Sequence, residues 1–185
     1  MNLMTHAEHS AGFATTADVL VYATGGCAVG TVLIARSIKG VCAIFLGDDA
    51  RTLQDDLAKS FPHATLVPNG AMVRDDLAKV ARYADKPSEK IDLTLDMRGN
   101  PIQRRAWNAL RSIPPGKTKS YMQVARLINP AYPRVAARIV ANACAANPLA
   151  LVIPCHRVVG ADGELAGYRW GLARKRELLE KEANA

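Results

Sequence analysis

The segment 153–159 places polar groups inside an apolar run, and it constrains the fold more than any other feature of the chain. Its aliphatic residues predict burial, yet its centre holds Cys155, His156 and Arg157. Burying such groups without partners costs about 1–3 kcal/mol for each neutral group and more for a charge. The fold therefore has to supply partners for these three side chains.

Cys155 has two interpretations. Free cysteine is among the most buried residue types, which favours a small core residue. Its neighbours favour a reactive thiol, because Pro154 fixes the approach of the chain and His156 is the kind of group that activates a thiol. Adjacent residues on a strand point to opposite faces, so His156 can help only if the backbone turns there. We therefore predict a turned, irregular Pro-Cys-His segment.

Charge is distributed unevenly along the 185 residues. Residues 1–100 carry 10 Lys and Arg against 12 Asp and Glu, whereas residues 101–185 carry 14 against 5. A basic half of this kind is typical of a protein that binds a polyanion, with nucleic acid as the first candidate. A solvated basic surface is the alternative.

The four cysteines show no metal-binding pattern. No Cys-x-x-Cys pair occurs, and the histidines have no zinc-ligand spacing relative to the cysteines. We therefore expect no metal, and we expect no cofactor. The chain shows neither an export signal nor a membrane-spanning run, so we also expect reduced thiols and a cytoplasmic location. Residues 1–16 predict a flexible polar leader, and metal binding by its His6 and His9 is not expected.

The first half predicts a small α/β domain at 17–98. Its predicted strands are 19–23, 29–35, 41–46 and the alternating 91–97, and its predicted helices are 50–60 and 71–84. Gly25-Gly26 and Lys39-Gly40 predict the first two turns. Asp48 or Asp49 can cap the first helix.

The second half, 99–185, predicts a helical domain. Its predicted helices are 101–111, 120–128, 134–145 and 170–182. The apolar positions of the first are Ile102, Ala106, Ala109 and Leu110, and those of the last are Leu172, Leu178 and Leu179. Two helices with a short connection in a basic domain resemble a helix-turn-helix, and the turn 161–163 predicts a wing.

The predicted helix 134–145 is rich in small side chains. Its alanines and those just after it are Ala136, Ala137, Ala141, Ala143, Ala145 and Ala146. Such a face suits close packing against a minor groove, although alanine also simply favours helix. Arg138, a long cation in the middle of this helix, favours the DNA interpretation.

These motifs resemble those of the O6-alkylguanine-DNA alkyltransferases. The run Pro154-Cys155-His156-Arg157-Val158 is similar to the family's acceptor-cysteine signature. Cys144-Ala145-Ala146-Asn147 and Gly167-Tyr168-Arg169-Trp170 are similar to two further blocks, the second of them typical of the bacterial adaptive-response branch. The resemblance implies an α+β fold, in which a ribonuclease-H-like domain with an antiparallel sheet precedes a winged-helix-like domain. We expect a stand-alone methyltransferase or the C-terminal half of a longer regulator.

The resemblance also implies an activity. A monomer would bind the minor groove of double-stranded DNA and flip out O6-alkylguanine or O4-methylthymine. It would then transfer the alkyl group, once and irreversibly, to Cys155.

The resemblance further implies roles for individual residues. Cys155, a water, His156 and Glu182 would form the proton relay, Tyr121 would donate a proton to the base, and Arg157 would tie the cysteine segment to its neighbours. Arg138 would replace the flipped nucleotide, with Ala136, Ala137, Ala141 and Tyr121 also at the DNA. The substrate pocket would contain Asn147, Val158, Tyr168, Arg169 and Trp170, and the bulk of Trp170 would disfavour large alkyl groups.

Two other classes remain open at this point. A module that binds alkylated DNA without repairing it would not need Cys155, which is present. A cysteine hydrolase would need turnover and an oxyanion site, to which nothing in the sequence points.

Overall fold

A computed structural model describes residues 18–87 and 91–185. The leader predicted at 1–16, with its two histidines, lies outside the described residues. A four-stranded sheet with two helices forms the first half, and four helices with a two-stranded sheet form the second. This is the expected pairing of a small sheet domain with a helical domain. The placement of the boundary at residue 98 stays a prediction.

Three of the strands agree with the sequence prediction. They are β1 (Val19–Cys27), β2 (Gly30–Ser37) and β3 (Gly40–Gly47), and they pair antiparallel in chain order. The predicted turn at Gly25-Gly26 is wrong, because both glycines pair with β2 inside β1. The chain turns instead at residues 28–29, just before Gly30, whose φ of +112° is a left-handed conformation that favours glycine.

A fourth strand makes the sheet mixed rather than antiparallel. The strand β4 (Thr65–Pro68) pairs parallel with β1 and gives the order β3-β2-β1-β4. The predicted strand at 91–97 is an extended segment that forms only an isolated bridge, between Leu95 and Val41 of β3. It alternates in exposure, as predicted, over residues 91–95, but it does not form a continuous ladder.

Two helices cover this sheet. The helix α1 (Ala50–Ser60) packs on β2 and β3, and α2 (Gly70–Asp85) packs on β1 and β2. Asp49 is the N-cap of α1 and accepts a hydrogen bond from the backbone N–H of Thr52 at 2.9 Å.

The helical half begins with α3 (Pro101–Arg111), whose bounds agree with the prediction. Its buried face differs, because Ile102 is 57% exposed while Trp107 is buried. The indole N–H of Trp107 donates to the carbonyl of Ala143 at 2.8 Å, which lets a large polar aromatic occupy the core. This contact joins α3 to α5.

The helix-turn-helix consists of α4 (Tyr121–Ile128) and α5 (Pro133–Ala145), which pack against each other and against α3. Ser120 and Gln123 form the predicted capping box at the start of α4. Pro133 is the first residue of α5, where its missing N–H costs nothing.

The last part of the chain carries the cysteine segment. A 3₁₀ helix (Cys155–Arg157) leads into β6 (Val158–Val159), which pairs parallel with β5 (Lys119–Ser120). The described residues form no hairpin after Gly163, so the predicted wing is only a turn. The final helix α6 (Leu172–Ala183) buries Lys175, Leu178 and Glu182, and Leu172 is exposed instead of facing inward.

In the described part of the chain, no helix is both long enough and apolar enough to cross a membrane.

Candidate active site

The cysteine segment is turned, as the sequence predicts. Residues Cys155–Arg157 form one turn of 3₁₀ helix directly after Pro154. Cys155 is 4% exposed, His156 is fully buried and Arg157 is 3% exposed. All three polar side chains therefore lie inside the protein, where they need partners.

Asn147 supplies the partner of the thiol. Its side-chain Nδ2 donates to Cys155 Sγ at 3.2 Å and to the carbonyl of Ile153 at 2.9 Å. Its Oδ1 accepts from the backbone N–H of Leu149 at 2.8 Å, which fixes the orientation of the amide. The buried Asn147 thus links the end of α5 to the cysteine segment.

The thiol of Cys155 is stabilised in its protonated form. Burial raises its pKa to about 11, against the opposing effects of the hydrogen bond from Asn147 and the positive charge of Lys175. A thiol in this state reacts only when its proton is removed, so the site needs a base.

His156, the residue after Cys155, pairs with Glu182 inside the protein. His156 Nε2 is 2.8 Å from Glu182 Oε1, and both side chains are completely buried. Burial lowers the pKa of His156 and keeps the ring neutral. If Nε2 carries the proton toward the carboxylate, Nδ1 is the basic nitrogen, and it has no hydrogen-bond partner among the described residues.

Arg157 neutralises Glu182. Its Nε donates to both carboxylate oxygens at 3.0 Å, and its two terminal nitrogens reach Glu182, the Ile113 carbonyl and the Tyr83 hydroxyl. Burial alone would raise the pKa of Glu182, but the hydrogen bonds from His156 and Arg157 outweigh it and lower the pKa to about 2. The carboxylate is therefore ionised at neutral pH, and Arg157 makes the tying contacts expected from the sequence.

A cavity of about 280 Å³ opens beside the thiol. It is enclosed by α4, α5, the cysteine segment and the loop before α6. Its lining residues are Tyr121, Ala141, Cys144, Ala145, Cys155, Gly167, Tyr168 and Arg169. Four residues predicted at the site, apart from Cys155 itself, thus meet at this cavity: Tyr121, Ala141, Tyr168 and Arg169.

Three residues predicted for the pocket do not line it. Val158 is fully buried in β6, and Trp170 packs edge-on behind Tyr168 with ring centroids 5.2 Å apart. Asn147 lies behind the thiol instead of in the wall. The expectation that the bulk of Trp170 disfavours large alkyl groups therefore has no support from the cavity, because Trp170 does not line it.

The outer face of α5 presents Arg138 to solvent, and Ala141 lies on the same side. Ala137 is half-buried. Ala136 is only 1% exposed and packs in the core, so its predicted contact with DNA is wrong. Val135, at 64% exposed, is an outer residue of this helix that the sequence analysis missed.

Lys175 is a further buried polar residue that the sequence analysis missed. Its Nζ donates to the carbonyls of Val158, Ala166 and Gly167 at 2.5, 2.7 and 3.2 Å. These bonds hold residues 166–167 of the loop before α6, which we call the pocket loop, against β6. The signal was its spacing of three and seven residues from Leu178 and Glu182, which puts all three on the inner face of α6.

No group of three or more His, Cys, Asp or Glu side chains in the described ranges is arranged to hold a metal ion. Most polar side-chain atoms around Cys155 bind one another or main-chain groups, whereas His156 Nδ1 and the Tyr168 hydroxyl have no partner among the described residues. The fold and the site define a protein that carries a buried free cysteine at a cavity beside a helix-turn-helix.

Comparison with known proteins agrees with this class. Residues 101–184 match the family described as 6-O-methylguanine DNA methyltransferase, DNA binding domain. The bifunctional transcriptional activator/DNA repair enzyme Ada of Escherichia coli is 47% identical over 162 residues, which is 88% of this chain and 45% of that protein. The methylated-DNA–protein-cysteine methyltransferase of Candida albicans is 35% identical over 88% of this chain and 96% of its own length.

A solved structure extends the likeness to the fold. The Mycobacterium tuberculosis protein OGT, crystallised in complex with DNA, is similar with a TM-score of 0.73 and 32% identity, over 89% of this chain and 93% of that one. The chain belongs to the methylated-DNA–protein-cysteine methyltransferase family. It spans about 45% of the length of the adaptive-response relatives from Escherichia coli and Salmonella typhimurium.

Proposed function

We propose that this protein repairs DNA by direct reversal of base alkylation. It takes the alkyl group from O6-alkylguanine, and from O4-methylthymine, and keeps it on Cys155. The observation that carries this proposal is the Cys155 thiol, which lines a cavity, accepts a hydrogen bond from Asn147 and is followed in the chain by His156 of the buried His156–Glu182 pair. The family membership of the chain supports the same reaction.

The transfer begins with the proton of the thiol. His156 Nδ1 takes that proton through a water, while Glu182 holds the ring through Nε2 and stabilises the imidazolium that forms. The Cys155 thiolate then attacks the alkyl carbon. The S–C bond forms as the C–O6 bond breaks, and the bonding electrons leave with the base.

Tyr121 donates the proton that the departing guanine needs. Its hydroxyl lies at the cavity and now donates to the carbonyl of Ala166 at 3.3 Å, and burial raises its pKa, which keeps the phenol protonated. The proton on His156 returns to Tyr121 by way of solvent. The thioether has no leaving route, so each molecule reacts once.

DNA contacts the protein at α5, the helix that also lines the cavity. The exposed Arg138 fills the space of the flipped nucleotide, and the small exposed side chain of Ala141 allows close approach to the minor groove. The relative solved in complex with DNA supports binding of DNA by this fold. We propose action as a monomer, in the cytoplasm, where the four free cysteines stay reduced.

A titration tests this function. A duplex oligonucleotide carrying one O6-methylguanine is incubated with increasing protein, and the repaired fraction is measured after the reaction stops. We expect one repaired duplex per protein molecule. Repair of none would indicate a module that only binds, and many repaired duplexes per molecule would indicate a hydrolase, so either result overturns the proposal.

A further inference from the structure

The sheet half touches the segment that leads into the acceptor cysteine. β3 is an end strand of the sheet, and its Ile44 donates to the carbonyl of Pro148 at 2.8 Å and accepts from the N–H of Ala150 at 3.0 Å. The bridge thus fixes the backbone on the C-terminal side of Asn147. Asn147, whose side chain binds the thiol, is therefore followed directly by backbone that is anchored to β3 of the sheet half.

Arg169 makes a second connection to the same place. One terminal nitrogen donates to the main-chain carbonyl of Asn147 at 3.2 Å, and the other donates to the Ser60 hydroxyl of α1 at 3.1 Å. Its guanidinium also lies over the ring of Phe45 in β3, 4.8 Å from the centroid. One side chain therefore contacts two elements of the sheet half and the residue that binds Cys155.

Asn147 links Arg169 to the sulfur of Cys155. Its carbonyl receives Arg169, and its side-chain amide donates to Cys155 Sγ at 3.2 Å. Asn147 is completely buried, so neither group can move without breaking the other bonds of the residue. A shift of the main chain by a few tenths of an ångström would lengthen the hydrogen bond to the thiol.

We propose that Arg169 is a positioning residue through which the sheet half holds Asn147, and with it the acceptor thiol, in place. The sheet half then takes part in the reaction and is more than a scaffold. The reaction itself rests on the proposed function, but the positioning of the thiol does not. The planar guanidinium of Arg169 donates to two acceptors in different elements while it lies over the Phe45 ring, and the compact ammonium of lysine lacks this fork.

A direct effect of charge has to be separated from positioning. Besides the neighbouring His156, the titratable groups facing the thiol are Lys175, Arg169, Tyr168, Cys144 and Tyr121. The positive charge of Arg169 alone would favour the thiolate. Arg169→Lys retains this charge and loses the fork, whereas Arg169→Gln loses both.

Arg174 offers a matched control. It also joins the two halves, since it donates to the carbonyls of Val29 and Trp170 at 2.9 Å and pairs with Asp48. It has no hydrogen bond to Asn147. Arg174→Gln therefore removes a comparable contact between the halves without touching the path to the thiol.

The experiment measures the thiol without methylated DNA. Each full-length variant is treated with iodoacetamide across about pH 7 to 10, and carbamidomethylation of Cys155 is followed by peptide mass spectrometry. The thermal midpoint of each variant is recorded in parallel. Because iodoacetamide needs no DNA, this test can fail while methyl transfer succeeds, and the reverse.

Positioning predicts that both Arg169→Lys and Arg169→Gln slow the modification of Cys155 at each pH by about 3- to 10-fold, the effect of one weakened hydrogen bond. Ser60→Ala, which removes only the far anchor, should slow it by a smaller factor in the same direction. Arg174→Gln should lower the thermal midpoint by about as much as the Arg169 variants do. It should leave the rate of Cys155 modification unchanged. A normal rate in Arg169→Lys, or equal slowing in Arg174→Gln, would overturn the proposal.

Discussion

Cys155, the proposed acceptor, is a buried and protonated thiol. A thiol whose pKa is about 11 is almost entirely protonated at neutral pH, and it is 4% exposed. Stray electrophiles therefore meet an unreactive group. In the proposed reaction the His156–Glu182 pair removes this proton once substrate fills the cavity, which would couple reactivity to binding.

Replacement of the acceptor tests its identity at the level of one atom. Cys155→Ala should abolish methyl transfer and leave DNA affinity nearly unchanged, because the sulfur lies inside the cavity and not on the outer face of α5. Affinity is measured by fluorescence anisotropy and transfer by loss of O6-methylguanine. Cys144→Ala, which removes the other thiol of the cavity, should still transfer; activity in Cys155→Ala would refute the assignment.

Arg138 separates recognition from chemistry. If it replaces a flipped base, Arg138→Ala raises the cost of extrusion by roughly 1–3 kcal/mol and slows transfer from duplex DNA by about 5- to 150-fold. The slow reaction with free O6-methylguanine needs no flipping and should hardly change. Arg138→Lys should recover only part of the rate, because it lacks the planar group.

Arg134→Ala is the matched control, since it removes an exposed cation from the same helix. At saturating protein it should transfer at nearly the normal rate. Equal losses on duplex and free base in Arg138→Ala would instead mean that Arg138 supports the fold or the thiol.

At the scale of elements, α6 holds the candidate active site together through two buried side chains, Lys175 and Glu182, which we call the clamp. Lys175 holds the pocket loop, and Glu182 holds His156 and Arg157, so one helix orients both walls around the thiol. Both residues look like ordinary surface charges in a polar C-terminal helix. Their spacing places both on one face of the helix, but the burial of that face depends on partners distant in sequence.

Breaking this clamp should cost stability. Glu182→Gln leaves the buried Arg157 without its counter-charge, and we expect a loss of about 3–5 kcal/mol in the free energy of unfolding, measured in urea. Glu180→Gln, an exposed position on the same helix, should change it by less than about 0.5 kcal/mol.

The stability of the clamp also depends on pH. The folded-state pKa of Glu182, about 2, lies below its ordinary value of 4.5, so the unfolded chain binds the proton first as pH falls. The carboxylate therefore contributes its full stability above pH 4.5 and loses it toward about pH 2. The difference between wild type and Glu182→Gln should narrow over that range; a difference independent of pH would contradict the ionised pair.

Local signals explain which elements could be predicted. Capping residues and prolines marked the starts of α1, α3 and α4, because they act within one turn. The start of α5 was predicted at residue 134, one residue after Pro133, where the helix begins. The short β4 lacked such a signal, and its pairing with β1 depends on the fold. Burial on α5 and α3 also depended on the fold, which placed Ala136 and Trp107 in the core.

At the scale of the molecule, the excess of positive charge in residues 101–185 predicts how the protein would bind DNA. Binding through the basic half releases counterions from phosphates, so affinity should fall steeply with salt and depend little on undamaged sequence. Arg134→Gln should lower the slope of log affinity against log salt by about 1, and Arg51→Gln on the sheet half should leave it unchanged. Equal slopes in both variants would refute binding through α5.

The contact between the two halves was beyond prediction from the sequence. The composition separates an acidic half from a basic one, and the motif at Cys155 predicts which segment carries the acceptor. The bridge from Ile44 to residues 148–150 and the stacking of Arg169 on Phe45 join positions more than 100 residues apart. Such pairings follow from the packing of the whole chain, and no local pattern encodes them.

The most direct test of the account is to find the atom that receives the methyl group. Protein is mixed with duplex DNA whose O6-methylguanine carries an isotopically labelled methyl, digested, and mapped by mass spectrometry. We expect one labelled methyl per protein molecule, on the peptide containing Cys155 and bonded to its sulfur. Label on Cys144, Cys27 or Cys42, or repaired DNA with unlabelled protein, would contradict it.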